Sequence, residues 1–154
     1  MIEGCDAAVV ALTTPAGEVL LIKRAEKQDD PWSGQIALPG GHREGDESCE
    51  EAAKRETLEE VGYDVKDLKF IGFFSPHNKP LKVAAFLSCV EKFQPEVSPS
   101  EVGEAFWFDI SAVDLNANEV TYRGHVIWGM TLRILKEIKR ANLFKACQAG
   151  NDSS

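Results

Sequence analysis

The sequence is poor in positive charge. It contains 17 Lys and Arg residues against 25 Asp and Glu residues, which gives a formal net charge of -8 at pH 7. A nucleic-acid backbone or an anionic membrane repels such a chain at long range, so we expect neither as its main partner. An anionic small molecule stays open as a substrate, provided that a metal ion and nearby Arg or Lys side chains neutralise it.

Long apolar runs are also missing. No segment reaches the roughly 18 apolar residues of a membrane span, and the first ten residues lack the basic region and apolar run of a signal peptide. The four cysteines, Cys5, Cys49, Cys89 and Cys147, form no CxxC pair. We therefore expect a cytoplasmic protein with reduced, mostly buried thiols, although the spacing does not exclude a disulfide.

The length and composition fit one globular domain. A chain of 154 residues with 44% hydrophobic and 27% charged residues can bury a substantial core. We predict a single domain over residues 1–148 and a disordered tail over residues 149–154.

Alternation and turn residues predict a mixture of strands and helices. The β-rich runs Ala7 to Thr13 and Glu18 to Lys23 flank Pro15 and Gly17, which predicts a hairpin that Arg24 closes. Further strands are predicted at Gln35 to Leu38, Val65 to Phe74, Leu81 to Val90 and Ala105 to Ile110, with a hairpin tip at Gly124. A C-terminal helix is then predicted from an apolar stripe formed by Ile134, Leu135, Ile138 and Ala141.

The stretch from Leu38 to Tyr63 carries the strongest chemical signal. A Pro-Gly-Gly turn precedes a helix that we predict to begin at Asp46 or Glu47 and to end at Gly62. Within it, Glu56, Glu59 and Glu60 share one helical turn, where like charges repel unless a cation separates them. A hard divalent cation such as Mg²⁺ is one explanation, and a solvated acidic helix face is the other.

The spacing within this stretch resembles the Nudix box. Gly41 is followed by five residues, Glu47, seven residues, and then RETLEEVGY from Arg55 to Tyr63. The departure is Thr57, which stands where the pattern has a bulky apolar residue. Such a resemblance implies an α/β/α sandwich with a mixed sheet between helices. It also implies hydrolysis of the diphosphate in a nucleoside diphosphate joined to another group.

The resemblance assigns roles to several residues. It implies that Glu56 and Glu60 are the principal ligands of Mg²⁺, with Mn²⁺ as an alternative, and that Gly41 adds a carbonyl ligand. Glu59 is implied to be a further ligand or a general base. From its chemistry, Arg55 is expected to orient the acids through a charge-assisted pair with Glu47.

Candidate substrate contacts lie outside the acidic helix. Arg24 is expected to bind phosphate because its planar fork matches phosphate oxygens, and Gly40 allows the backbone to approach a ligand closely. Trp32 either contacts the substrate or closes the edge of the core. His77 is either a surface residue or a substrate contact.

One further carboxylate is expected across the cleft from the acidic helix. Glu101 and Glu104 both precede a β-like run, and either is a candidate general base or extra metal ligand. The alternative for both is an exposed acid that flanks a strand.

Two flanking stretches are similar to the coenzyme A diphosphatase branch of the family. Upstream, LLIKRA and GQIALPGG match its extended motif, and downstream EVGEAFWFDI and HVIWGMTLRIL are similar to its later segments. DDPWSG departs from the Arg and His that the motif often carries there. Three hypotheses follow. The first is hydrolysis of coenzyme A or a derivative, and the second is hydrolysis of ADP-ribose, dinucleoside polyphosphates or oxidised nucleoside triphosphates. The third is a protein that binds a nucleotide as a sensor without catalysis. Exposed β edges are compatible with a homodimer.

Overall fold

The computed structural model describes residues 1–29, 33–77 and 79–149. Its strands are β1 (Ala7–Thr13), β2 (Glu18–Arg24), β3 (Ile36–Ala37), β4 (Gly40–His42), β5 (Lys69–Phe74), β6 (Val83–Cys89), β7 (Val102–Asp109), β8 (Glu119–Tyr122) and β9 (His125–Trp128). The helices are α1 (Cys49–Val61), α2 (Gly129–Arg140) and α3 (Lys145–Ala149). None of the helices in these ranges is long and apolar enough to cross a bilayer.

A mixed sheet forms the centre of the fold. Its strand order is β3-β2-β1-β6-β5, with β4 paired to β1 and β7 paired to β2. Strand β1 runs parallel to β6 from Ala7, opposite Val83, to Thr13, opposite Cys89, and antiparallel to β2 and β4. Strands β8 and β9 form a separate hairpin.

Alternate side chains of β1 enter two different cores, because successive residues of a strand point to opposite faces of the sheet. Val9 and Ala11 pack on the face that also buries apolar residues of α2. Ala8 and Val10 pack on the other face, against Ala52 and its neighbours in α1. The sheet therefore lies between the two helices, which confirms the predicted α/β/α sandwich.

Helix α1 begins two to three residues later than predicted. Its N-cap is Ser48, whose side chain accepts a hydrogen bond from the Glu51 N–H, while the Glu51 carboxylate accepts one from the Ser48 N–H. This capping box satisfies two backbone donors, whereas the Glu47 side chain is occupied by Arg55. The predicted stop is confirmed, because Gly62 has a φ of 74° and donates its N–H to the Leu58 carbonyl.

Other predicted boundaries shift by several residues. Strand β5 starts at Lys69 rather than Val65, because Val65 is buried on the α1 side without strand pairing. In α2, Ile134, Leu135 and Ile138 are buried as predicted, whereas Ala141 is the exposed C-cap. Helix α3 includes residue 149, so the predicted tail overlaps it by one residue. Residues 150–154 lie outside the described ranges.

The prediction of reduced thiols is wrong in this structure. Cys5 is joined to Cys49, and Cys89 is joined to Cys147, across sequence separations of 44 and 58 residues. Packing of the N-terminal segment explains the first bridge, because the residues before β1 lie against the start of α1, where the Cys49 N–H donates to the Ile2 carbonyl. Spacing along the chain does not report this proximity.

Candidate metal and diphosphate site

Three carboxylates converge beside α1. One carboxylate oxygen from each of Glu56, Glu59 and Glu101 lies within 4.8 Å of the other two. Glu101 comes from the turn immediately before β7, and its Oε2 atom is buried without a hydrogen-bond partner. Three negative groups at this separation repel each other unless a cation lies among them. An all-oxygen donor set of this kind fits a hard divalent cation such as Mg²⁺ or Mn²⁺.

Glu60 lies behind this trio and is only 3% exposed. Its Oε1 atom accepts a hydrogen bond of 2.8 Å from the Gly40 N–H. Burial raises the pKa of the Glu60 carboxyl to about 8, the Gly40 bond opposes this rise, and the charges of nearby acids add to it. Without a cation, Glu60 therefore carries a proton at neutral pH.

Gly41 lies directly against Glu56. A Cβ atom at position 41 would lie 2.5 to 2.9 Å from the three carboxylate atoms of Glu56. Only glycine therefore lets β4 approach this carboxylate without displacing it. The expected roles of Gly41 and Glu60 as metal ligands remain predictions.

Arg55 connects the acids as the spacing predicts. Its Nε and Nη2 atoms donate to the two carboxylate oxygens of Glu47 at 2.7 and 3.1 Å, which confirms the predicted pair. Its Nη1 atom donates to Glu56 at 2.9 Å and lies 3.5 Å from Glu59. The guanidinium thereby fixes two members of the trio, and we interpret Arg55 as a positioning residue.

The same contacts explain two further pKa shifts. The hydrogen bond from Arg55 lowers the pKa of the Glu47 carboxyl below its usual value. Burial raises the pKa of the Glu56 carboxyl, while Arg55 opposes that rise. The site therefore favours the charged form of its outer acid, Glu47, and disfavours the charged form of Glu56, which lies deeper.

A cavity of about 300 Å³ lies along β4, on the α2 side of the sheet. Its floor is apolar and includes Val9, Ile36, Leu38 and Val83, and Met130 contributes from α2. Its polar lining includes Arg24, Gln35, His42, His77, Lys79 and Thr131. Among the described residues no Asp or Glu lines it, although the chain as a whole is acidic. Strand β4 thus separates a cavity rich in basic groups from the cluster of carboxylates.

The structure brings several predicted substrate contacts to this cavity. Arg24, Gly40 and His77 line it, and Glu101 reaches the trio next to it. The prediction for Trp32 falls on a residue outside the described ranges. Glu104 lies elsewhere, because its carboxylate is 3.2 Å from Nε2 of His125 in the β8–β9 hairpin.

Sequence reasoning missed the contribution of the β9–α2 junction. Trp128, Gly129, Met130 and Thr131 all line the cavity, and Trp128 is 46% exposed at this position. The available signal was a large aromatic residue directly before the start of a helix. Sequence reasoning places this residue only within HVIWGMTLRIL, a stretch similar to a later segment of the coenzyme A diphosphatase branch, and assigns it no contact.

A NUDIX domain model matches residues 5–127 of the chain. An uncharacterized protein of Schizosaccharomyces pombe is 35% identical over 105 residues, which are 60% of this chain and 32% of that protein. The NAD-capped RNA hydrolase NudC of Haemophilus influenzae is 27% identical over 104 residues, covering 68% of this chain and 39% of NudC. The ADP-ribose pyrophosphatase of Methanocaldococcus jannaschii is 40% identical over 68 residues, or 44% of this chain and 38% of that enzyme.

This chain therefore spans less than two fifths of the length of each of these three relatives. Among solved structures, a MutT protein of Methanosarcina mazei superimposes with a TM-score of 0.66 at 23% identity, over 92% of this chain and 96% of the other. The NUDIX domain of Shewanella oneidensis NrtR, solved with ADP ribose, superimposes with a TM-score of 0.68 at 14% identity, over 92% and 90% of the two chains. These similarities support the same fold.

Proposed function

Because the chain belongs to the NUDIX domain family, we propose that it hydrolyses the diphosphate bond of a nucleoside diphosphate joined to a second group. The observation that carries this proposal is the position of the Glu56, Glu59 and Glu101 carboxylates beside β4, across from a cavity with no described acid. A nucleoside in the cavity would direct its diphosphate over the glycines of β4 toward the carboxylates.

The carboxylates and backbone at this point would hold the metal ion. We assign Mg²⁺ to Glu56, Glu59 and Glu101, whose carboxylates lie together. The family resemblance implies Glu60 as a principal ligand beside Glu56, and the Gly41 carbonyl as a further ligand. When bound, the ion supplies charge neutralisation for the diphosphate and lowers the pKa of a coordinated water. Mn²⁺ has the same preference for oxygen ligands and is the alternative.

Glu101 is the side chain we assign as general base, with Glu59 as the alternative. The Glu101 Oε2 atom has no hydrogen-bond partner, whereas the Glu59 carboxylate lies 3.5 Å from the Arg55 guanidinium. Glu101 would accept a proton from the attacking water while the oxygen of that water forms a bond to one phosphorus of the diphosphate. The bond from that phosphorus to the bridging oxygen then breaks, and two monophosphates leave.

The cavity volume favours binding of one of the two groups that the diphosphate joins. A volume of about 300 Å³ is at the lower end of ligand pockets, which suits one nucleoside-sized group. Arg24 would contact the phosphate next to it. An ADP-ribose-like substrate has the support of the pyrophosphatase relative. Coenzyme A is the second candidate, and it rests on the flanking sequence motifs.

A substrate panel tests the reaction. The protein with both disulfides formed is incubated separately with ADP-ribose, NAD, coenzyme A, diadenosine polyphosphates and 8-oxo-dGTP. Each incubation is repeated with Mg²⁺, with Mn²⁺ and with EDTA, and the products are identified by mass. We expect metal-dependent release of two phosphate-bearing products from at least one compound. Binding of a nucleotide without any cleavage would instead support a sensor and overturn the proposal.

A pair of variants links the reaction to the carboxylates. Glu56→Gln should abolish turnover and weaken Mn²⁺ binding measured by electron paramagnetic resonance. Glu91→Gln removes the same charge at an exposed loop position and should change neither quantity. Equal effects of the two substitutions would exclude the trio as the metal site.

A cytoplasmic location and a homodimer remain proposals. The two disulfides count against a reducing compartment, since such bridges persist mainly where conditions are oxidising. Fractionation of the source cells and sedimentation of the purified protein test these two points.

A further inference from the structure

A second depression lies next to the nucleoside cavity, along the outer side of α2. This groove has a volume of about 790 Å³ and is lined by Ile71, Phe74, Asp114, Leu115, Asn116, Arg133, Lys136, Glu137, Lys139 and Arg140. Four cations and two acids therefore line it, in a chain whose formal net charge is -8. The groove is therefore a positively charged region on a protein whose net charge is negative.

Neutral partners hold three of these cations in place. Arg133 donates to the Ser75 carbonyl, Lys136 donates to the Ala117 carbonyl at 2.7 Å, and Lys139 donates to the Val113 carbonyl. A carbonyl oxygen carries no net charge, so these bonds orient the cations without cancelling them. No carboxylate within residues 1–29, 33–77 and 79–149 lies within ion-pair distance of these three side chains.

The groove and the cavity share two walls. The first turn of α2, from Gly129 to Thr131, lines the cavity, and Arg133 on the next turn lines the groove. On the facing side, Phe74 lines the groove and Pro76 lines the cavity. The hydrogen bond from Arg133 to the Ser75 carbonyl therefore lies where the linings of the cavity and the groove come closest along the chain.

The cations extend well beyond one phosphate group. Arg133 and Arg140 are seven residues apart, which is about 10 Å along a helix axis at about 1.5 Å per residue. Lys136 lies between them on the same side of the helix. Such a row suits a linear chain of phosphates better than a single anion, because each step along the helix offers a new positive charge.

We propose that this groove binds the phosphodiester backbone of an oligonucleotide attached to the 3′ side of the substrate's nucleoside. The inference rests on the proposed function, since it needs the nucleoside in the cavity and the 5′ diphosphate at the carboxylates. The 3′ oxygen would then face the Arg133–Ser75 hydrogen bond, and the attached phosphates would pass over it and follow α2. The negative net charge of the chain repels nucleic acid at long range, and the groove offers a local site of opposite charge.

Binding without turnover tests the proposal first. ADP-ribose analogues with no 3′ phosphate, with one 3′ phosphate and with a 3′ trinucleotide are compared by competition against a fluorescent trinucleotide-tailed analogue in EDTA. We expect the trinucleotide to improve affinity about 10-fold over the untailed analogue and the single phosphate to give a smaller gain. The slope of log affinity against log salt should steepen by about 0.7 for each phosphate engaged. Equal affinity for all three ligands would overturn the proposal.

Two neighbouring substitutions with opposite expected signs sharpen the test. Lys136→Glu should remove most of the gain from the tail, whereas Glu137→Gln should increase it, because Glu137 accepts hydrogen bonds from Arg140 and cancels part of the positive charge. Lys54→Glu reverses an exposed charge on α1 and is the control. None of the three variants should change affinity for the untailed analogue. An equal loss for tailed and untailed ligands with Lys136→Glu would contradict a tail site.

Free polyphosphate separates a true tail site from a general anion site. If tripolyphosphate displaces the tailed analogue as strongly as the untethered trinucleotide does, the groove is a site for free anions and the proposal fails. Hydrolysis with Mg²⁺ is then measured on the same analogues. If all three analogues are cleaved at one rate and the tail has no effect on binding, the proposed groove site is refuted and the proposed hydrolysis stands. If the tail improves binding but no analogue is cleaved, the proposed hydrolysis is refuted and the groove site stands.

Discussion

The backbone N–H of Gly40 donates a 2.8 Å hydrogen bond to Oε1 of Glu60, and this bond joins the lining of the cavity to α1. Glu60 is 20 residues further along the chain, and its carboxyl is buried. The bond holds β4 against α1, so that the two glycines of β4 lie between the cavity and the carboxylates.

Stability without metal should decrease as pH rises. The pKa of Glu60 is raised from 4.5 to about 8, so the folded state binds a proton that the unfolded chain releases. The stabilisation is complete below about pH 4.5 and is lost as pH rises through about 8. We expect the thermal midpoint in EDTA to fall by several degrees between pH 5.5 and pH 8.5, measured by calorimetry.

Glu60→Gln is the matched control for that decrease, because the amide oxygen can still accept the Gly40 N–H but does not titrate. The variant should show a flatter dependence on pH over the same range and should lose metal-dependent turnover. If the thermal midpoint of the wild type does not fall further than that of the variant between pH 5.5 and pH 8.5, the assignment of this pH dependence to Glu60 is contradicted.

Substitution of the two glycines of β4 should separate folding from metal binding. In Gly41→Ala the new Cβ meets the end of the flexible Glu56 side chain, which can move away. We expect a folded protein whose Mn²⁺ affinity falls at least 10-fold, because one ligand is displaced. Isothermal titration measures the affinity, and the thermal midpoint reports the fold.

Gly40→Ala should have the opposite profile. Its Cβ would lie 2.1 Å from the Ala8 carbonyl oxygen and 2.6 Å from the Val9 Cα, which are backbone atoms of β1. We expect strong destabilisation or failure to fold. If both alanine variants fold with equal stability, the packing of β4 described above is incorrect.

Replacement of Arg55 by Lys should weaken metal binding while keeping the charge. Lysine cannot reproduce the two-pronged contact with Glu47 together with the bond to Glu56. Loss of a residue that orients metal ligands typically costs 10- to 100-fold in affinity or activity, and we expect a value in this range. Titration with Mn²⁺ and kcat/KM for the best substrate provide the two readouts.

Lys54→Arg on the same helix controls for a generic effect of exchanging basic residues. It should leave both quantities unchanged, since Lys54 is exposed. If Arg55→Lys binds the metal as tightly as the wild type does, a positive charge is sufficient to position the acids and the planar guanidinium is not required.

The disulfides should contribute measurably to stability. A bridge across 44 or 58 residues restricts the unfolded chain, and such bridges typically contribute about 2–4 kcal/mol. We expect no free thiol in the denatured protein without reductant and four after reduction, counted with a thiol reagent. Urea unfolding should show a lower midpoint for Cys89→Ser/Cys147→Ser than for the wild type.

The thiol count also tests the sequence-based expectation of reduced thiols directly. Four reactive thiols in unreduced, denatured protein would restore the prediction of a reduced chain. In that case the double serine variant should unfold at nearly the same urea concentration as the wild type.

The sequence by itself determined the local parts of the site. Helical periodicity brings Glu56 beside Glu59, and a separation of eight residues places Arg55 near Glu47 across the start of the helix. Gly62 ends the helix because it adopts a left-handed backbone conformation at little cost. Each of these relationships spans one or a few helical turns, so the spacing of residue types is sufficient to predict it.

The tertiary structure alone decided how distant segments meet. Glu101 joins Glu56 only because β7 pairs with β2 and places the preceding turn beside α1. Packing of the N-terminal segment against the start of α1 likewise brings Cys5 to Cys49, and the packing of α2 on the sheet forms both the cavity and the basic groove. These contacts join residues tens of positions apart, and their geometry follows from strand pairing and packing rather than from any local pattern.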